Sequence, residues 1–170
     1  VAGYAGSDSF TYTATNTSGT SSPATIDINV ADPVITISPN GSLNTDAGTN
    51  YSQTFTFTGG AQPWSNYQVT NLPSGLSITG TTANSVTISG IATVAGTFNL
   101  DVSATDTSTG NGPYSVSQTF ALNVGAPTIV ITPSTLPGGA VAANYSQTIS
   151  ASGGIGTYVY TIISGALPNG

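Results

Sequence analysis

The sequence predicts an all-β chain of tandem antiparallel sandwiches with a repeat of about 94 residues, on three observations. First, Asn50-Tyr51-Ser52-Gln53-Thr54 recurs as Asn144-Tyr145-Ser146-Gln147-Thr148, 94 positions further on. With no gap, the same offset carries Pro33 to Pro127, Ile37 to Ile131, Pro39 to Pro133 and Gly59-Gly60 to Gly153-Gly154. Second, apolar and polar residues alternate in one short run after another, the period of a half-buried strand. Third, no window joins helical spacing of apolar residues to a capping residue.

Residues 1–31 read as the closing strands of a sandwich. Phe10, Tyr12 and Ala14 alternate with polar neighbours, Asn16-Thr17-Ser18-Gly19 is a turn cluster, and Ala24 to Val30 alternates again. A lone hairpin of this kind is marginal in water and needs a partner sheet. Val1 already lies inside this pattern, so no leader peptide is expected there.

Residues 32–125 read as one complete repeat. Val34 to Ser38 is an entry strand between Pro33 and Pro39. Tyr51, Gln53, Phe55 and Phe57 share one face of the next strand, which Gly59-Gly60 ends. Short strands follow at Asn66 to Thr70, Leu76 to Ile78 and Ser85 to Ser89. Phe98, Leu100, Val102 and Ala104 are in phase on the next strand, and Asp106 to Pro113 is a loop. Val116, Gln118, Phe120, Leu122 and Val124 then close the unit. About seven short strands in one repeat is the pattern of an antiparallel sandwich. Residues 126–170 restart it: an entry strand, a strand at Tyr145, a strand at Tyr158-Val159-Tyr160, and a Leu167-Pro168-Asn169-Gly170 turn. The linkers, Val30-Ala31-Asp32-Pro33 and Val124-Gly125-Ala126-Pro127, are short and carry Pro, which favours a semi-stiff rod.

Composition removes several function classes. The chain has 6 acidic residues, all Asp, and no Lys, Arg or His, for a net charge of −6. Nothing can neutralise phosphates, so nucleic acid is excluded as a partner, and anionic membrane surfaces fail for the same reason. No apolar run is long enough to span a bilayer. With no Cys there is no disulfide, and with no Lys there is no Lys–Asn isopeptide. Ser and Thr make up roughly three residues in ten, far above ordinary usage, and suit water-facing strand surfaces.

Ser152-Gly153-Gly154, Tyr158 and Gly165 to Gly170 form one set of motif residues. Leu72-Pro73-Ser74-Gly75-Leu76, Ile88-Ser89-Gly90 and Ala95-Gly96-Thr97-Phe98 form the other. Together they resemble the immunoglobulin-like tandem repeats of microbial surface proteins. Gly6 to Tyr12 is similar to the related bacterial cadherin-like and Ig-like repeats. The resemblance implies tandem immunoglobulin-like sandwiches in surface-anchored or secreted adhesins, fibres and enzyme spacer modules.

Candidate sites are few. Trp64, the only Trp, could stack a sugar ring with Tyr67 beside it. It aligns with Tyr158, though, and a bulky aromatic at one repeat position reads equally as packing. Asp32 at a linker could contribute to a Ca2+ site, but its counterpart is Ala126, so a solvated turn Asp is the default and no cofactor is expected. Asn16, Asn40, Asn50 and Asn144 each head an Asn-x-Ser/Thr acceptor pattern for glycosylation. Catalysis lacks His, Lys and Cys; Asp101 and Asp106 are the nearest carboxylate pair, and no enzyme is expected.

The expected function is a structural repeat of an extracellular or cell-surface fibre, filament or adhesin, serving spacing, self-association or display. The absence of Lys and Arg also removes every trypsin-type cleavage site. Residues 126–170 of one subunit are expected to pair with residues 1–31 of the next, because each supplies a different part of one repeat. The alternative is a glycan-binding or adhesive module using Trp64 and Tyr67.

Overall fold

The computed structural model describes residues 3–167, all strand and loop. The Leu167 turn of the third segment runs on into Pro168, Asn169 and Gly170, which lie outside the described residues. The strands are β1 (Tyr4–Tyr12), β2 (Thr15–Asn16), β3 (Gly19–Thr20), β4 (Ala24–Val30), β5 (Thr36–Ser38), β6 (Leu43–Asp46), β7 (Asn50–Thr58) and β8 (Ser65–Thr70). They continue as β9 (Leu76–Thr81), β10 (Ser85–Ile91), β11 (Gly96–Thr105), β12 (Thr109–Gly110), β13 (Ser115–Gly125), β14 (Val130–Thr132) and β15 (Ser150–Ser152).

Two four-stranded sheets form an Ig-like sandwich, one ordered β5-β7-β10-β9 and the other β6-β13-β11-β8. The alternating residues supply its filling. Ile37, Phe55, Phe57, Leu76, Val86 and Ile88 face inward from the first sheet, and Leu43, Val69, Leu100, Val102, Phe120, Leu122 and Val124 from the second, all buried. Phe55 meets Phe120 at 4.9 Å between ring centroids, and Phe57 meets Trp64 at 5.3 Å. Tilted aromatic contacts at such distances add to the area they bury.

β6 is a strand the apolar pattern does not announce. Leu43-Asn44-Thr45-Asp46 has one apolar residue and no alternation, yet it pairs in parallel with β13, Leu43 opposite Leu122 through Asp46 opposite Gly125. The entry segment therefore begins in one sheet as β5 and crosses to the other as β6. The expected entry strand is shorter than its sequence suggests: Val34 is 84% exposed and only residues 36–38 pair with β7.

β1 and β4 form an antiparallel ribbon, with Phe10 opposite Ile26 and Gly6 opposite Val30. The small β2–β3 hairpin caps it around the Asn16 turn. In the third segment β14 pairs with β15, Val130 opposite Ser152, Ile131 opposite Ala151 and Thr132 opposite Ser150. That register is the β5·β7 register, Thr36 opposite Thr58 to Ser38 opposite Thr56, moved on by 94.

Two expected strands are corrected here: residues 144–149 and 158–160 are irregular. The reason is hydrogen bonding. β7 has β5 on one side and β10 on the other, and β8 leans on β11. The described part of the third segment holds no equivalent of β10 or β11, so its N–H and C=O groups have no ladder to join.

Candidate functional site: the junction between ribbon and sandwich

The most heavily built polar site lies where β11 ends. Asp106 is 2% exposed. Its carboxylate accepts hydrogen bonds from the backbone N–H of Ala61 at 3.0 Å, Ser108 at 3.1 Å and Tyr114 at 2.7 Å, and from the Ser108 hydroxyl. Burial alone would raise its pKa. The bonds from the Ser108 hydroxyl and the Tyr114, Ala61 and Ser108 N–H groups outweigh that and hold it below the ordinary carboxylate value. One side chain thus fastens the 59–63 turn to the 106–114 loop. The backbone adds Thr107 N–H to Ala61 O at 3.1 Å and Asp106 N–H to Tyr114 O at 2.9 Å. Gly60 fits beneath because it has no side chain: a Cβ there would lie 2.5 Å from the Asp106 carboxylate.

The loop so fixed presents β12 to the ribbon. β1 pairs with it in parallel, Tyr4 opposite Thr109 and Ala5 opposite Gly110. Thr109 N–H donates to Gly3 O at 2.8 Å and Asn111 N–H to Ala5 O at 2.9 Å, burying Ala5. Gly110 has φ +82°, and a Cβ there would sit 2.0 Å from Ala5 O. Gly110→Ala is therefore expected to unseat the ribbon while leaving the sandwich folded. Amide chemical shifts of residues 3–12 should move towards those of an undocked ribbon, and those of β7 and β10 should not.

A second fastening joins the linker. The Tyr114 hydroxyl donates to the Asp32 carboxylate, and that bond, with some desolvation and the Asp32 charge, pushes the phenol pKa up to about 12. A raised phenol pKa favours the folded junction below the ordinary value of 10.0, and the advantage disappears as pH rises through about 12. In Asp32→Asn the phenolate absorbance of Tyr114 is expected to titrate back towards 10.0.

The residues singled out in the sequence fall elsewhere. Trp64 is 4% exposed and packed on Phe57, so its indole offers no open face to a sugar ring. Tyr67 is half-buried, tilted on Phe57 at 5.4 Å, with its hydroxyl donating to Thr82 O at 3.0 Å. Asn16, Asn40, Asn50 and Asn144 are all exposed and far apart in the chain. Asp101 accepts from Thr119 Oγ1 at 2.6 Å and Asn71 Nδ2 at 3.1 Å, both near the surface. No three carboxylates stand together among the described residues, and Asp32 faces Tyr114. Sequence reasoning placed Asp106 in a loop and missed its role. The signal available was Asp106-Thr107-Ser108, an Asp able to bond the backbone two residues on, ahead of the Gly110 and Gly112 turns.

A family model described as "Putative Ig domain" matches residues 33–125. Two solved structures of an endo-fucoidan hydrolase from glycoside hydrolase family 107 are similar at 25% and 24% identity, each with a TM-score of 0.41. The similarity covers 72% of this chain, which spans only 19% of the length of theirs. No curated protein matches.

Proposed function

Since the chain belongs to this family of Ig domains, we propose that it is a non-catalytic spacer of an extracellular or cell-surface fibre or adhesin, in which residues 1–31 and 126–170 are parts of like sandwiches before and after the central one. The observation that carries the reading is the junction. The ribbon is held to the sandwich by a backbone ladder, a buried carboxylate and a linker bond, where a loose tether would need none of them. Docking of this kind fixes direction from one unit to the next, which is what spacing requires.

The registers support the same reading. β1·β4 sets Gly6 opposite Val30 and Phe10 opposite Ile26; β11·β13 sets Gly96 opposite Val124 and Leu100 opposite Phe120. The two ladders match pair for pair, with β1 moved by 90 and β4 by 94. With Trp64 buried, no observation favours the glycan-binding alternative.

Residual dipolar couplings on the full chain test the proposal. A single alignment tensor shared by β1, β4 and the sandwich is the expected result. Separate tensors for ribbon and sandwich would mean a free hinge and would remove the spacer reading.

A further inference from the structure

We propose that the apolar face of the β1–β4 ribbon is a docking surface for the 129–151 segment of a second copy of this chain, joining copies head to tail. This rests on the reading of both flanking segments as parts of like sandwiches. Phe10, Tyr12, Ile26, Ile28 and Val30 lie on one face of the ribbon at 51%, 51%, 42%, 43% and 39% exposure. At the matching places of β11 and β13, Leu100, Val102, Phe120, Leu122 and Val124 are all buried. What covers those includes Ile37, Phe55 and Phe57 of the facing sheet. The ribbon carries the same kind of surface without its cover.

The chain holds that cover a second time. Moved on by 94, Ile37, Phe55 and Phe57 become Ile131, Ile149 and Ala151. Ile131 is 58% exposed and Ile149 47%, and Ile131 and Ala151 are paired across β14·β15 as Ile37 and Phe57 are across β5·β7. Charge does not oppose the contact, because all six Asp lie at or before Asp106 and the docking segment carries none. Asp8, the one acid on the ribbon face, stands where Phe98 stands in the sandwich, a half-buried rim position.

The two surfaces belong to opposite ends of the sandwich. The ribbon docks at the 59–61 turn and the 106–114 loop. Gly154 and Ile155 abut Gly48, in the turn tied by Ala47 N–H to Gly125 O and Gly48 N–H to Ala92 O. The nine residues of β7 run between these ends, about 26 Å at ordinary strand rise. Ribbon and segment of one chain are kept apart, whereas those of successive copies can meet. Such a contact is heterologous and does not close, so it propagates as a linear assembly.

The test is sedimentation velocity of the 170-residue chain at rising concentration, with Phe10→Asp and Ile131→Asp variants and Trp64 emission as the check that the sandwich remains folded. Wild type should grow with concentration, each variant alone should stay monomeric, and an equimolar mixture of the two should stop at dimers. The dimer follows because the mixture retains one intact ribbon that can meet one intact segment. A wild type monomeric throughout, variants that assemble like wild type, or a mixture that stays monomeric would each overturn the proposal. Dipolar couplings on the monomeric Ile131→Asp chain separate this failure from that of the spacer reading: an intact junction without assembly would sink only the docking.

Discussion

Replacing Asp106 by alanine is expected to cost about 3–5 kcal/mol of sandwich stability and to release the ribbon as well. The change leaves the N–H groups of Ala61, Ser108 and Tyr114 facing a space that no longer holds an acceptor. Each such donor costs about 1–3 kcal/mol when unsatisfied, and water entering the space recovers part of the total. Urea unfolding followed by Trp64 emission measures the loss. Asp106→Asn should fall between, since an amide keeps one acceptor oxygen but turns an NH2 group towards N–H donors. Acid provides an independent check. The folded carboxylate titrates below its ordinary 3.8, so its contribution is complete above that pH and is lost as pH falls through the lower folded value. Wild type should therefore lose stability across that window, and the difference between wild type and Asp106→Ala should shrink there. A pH-independent difference would mean that the loss comes from packing alone.

The second large effect is Phe55→Ala, expected to cost about 3–5 kcal/mol, the usual range for emptying a fully buried phenylalanine site. Phe55 is 0% exposed and lies 4.9 Å from Phe120, at the meeting of the two sheets. The same substitution 94 positions on, Ile149→Ala, should leave thermal unfolding of the sandwich within about 0.5 kcal/mol, because a side chain outside the packed core has little packing to lose. One repeat position thus yields two outcomes, set by whether a facing sheet is present. Equal losses at both sites would mean that the third segment is packed into the sandwich core.

That contrast also marks what the sequence could tell. Phe55, Phe57, Leu100, Val102, Phe120 and Leu122 were legible as core because each lies in a run of clean alternation. β6 was not, since a strand with one apolar residue is made by the neighbour that pairs with it. The strands expected at Tyr145 and Tyr158 failed for the converse reason: the pattern is present and the partner is missing. The junction was the least legible part. Asp106 resembles any turn Asp until the chain folds and brings Ala61 and Tyr114 to its carboxylate. β12 is two residues long and exists only because Tyr4 and Ala5 lie beside it. Local pattern records which side chains want burial; it does not record which distant backbone will supply the other half of a ladder.

The crossing of the entry segment from β5 to β6 has a consequence under load. The chain enters the sandwich at the end near Pro33 and leaves at the end near Gly125, with β6 and β13 side by side and parallel over Leu43 to Asp46. Pulling the two ends apart drags these strands past each other along their length. Their hydrogen bonds are strained together instead of opening one at a time from an end. Resistance to stretching therefore resides in one short parallel pair, and Asn44 and Thr45 are the positions at which proline, lacking the N–H, should most reduce the force needed to open the unit.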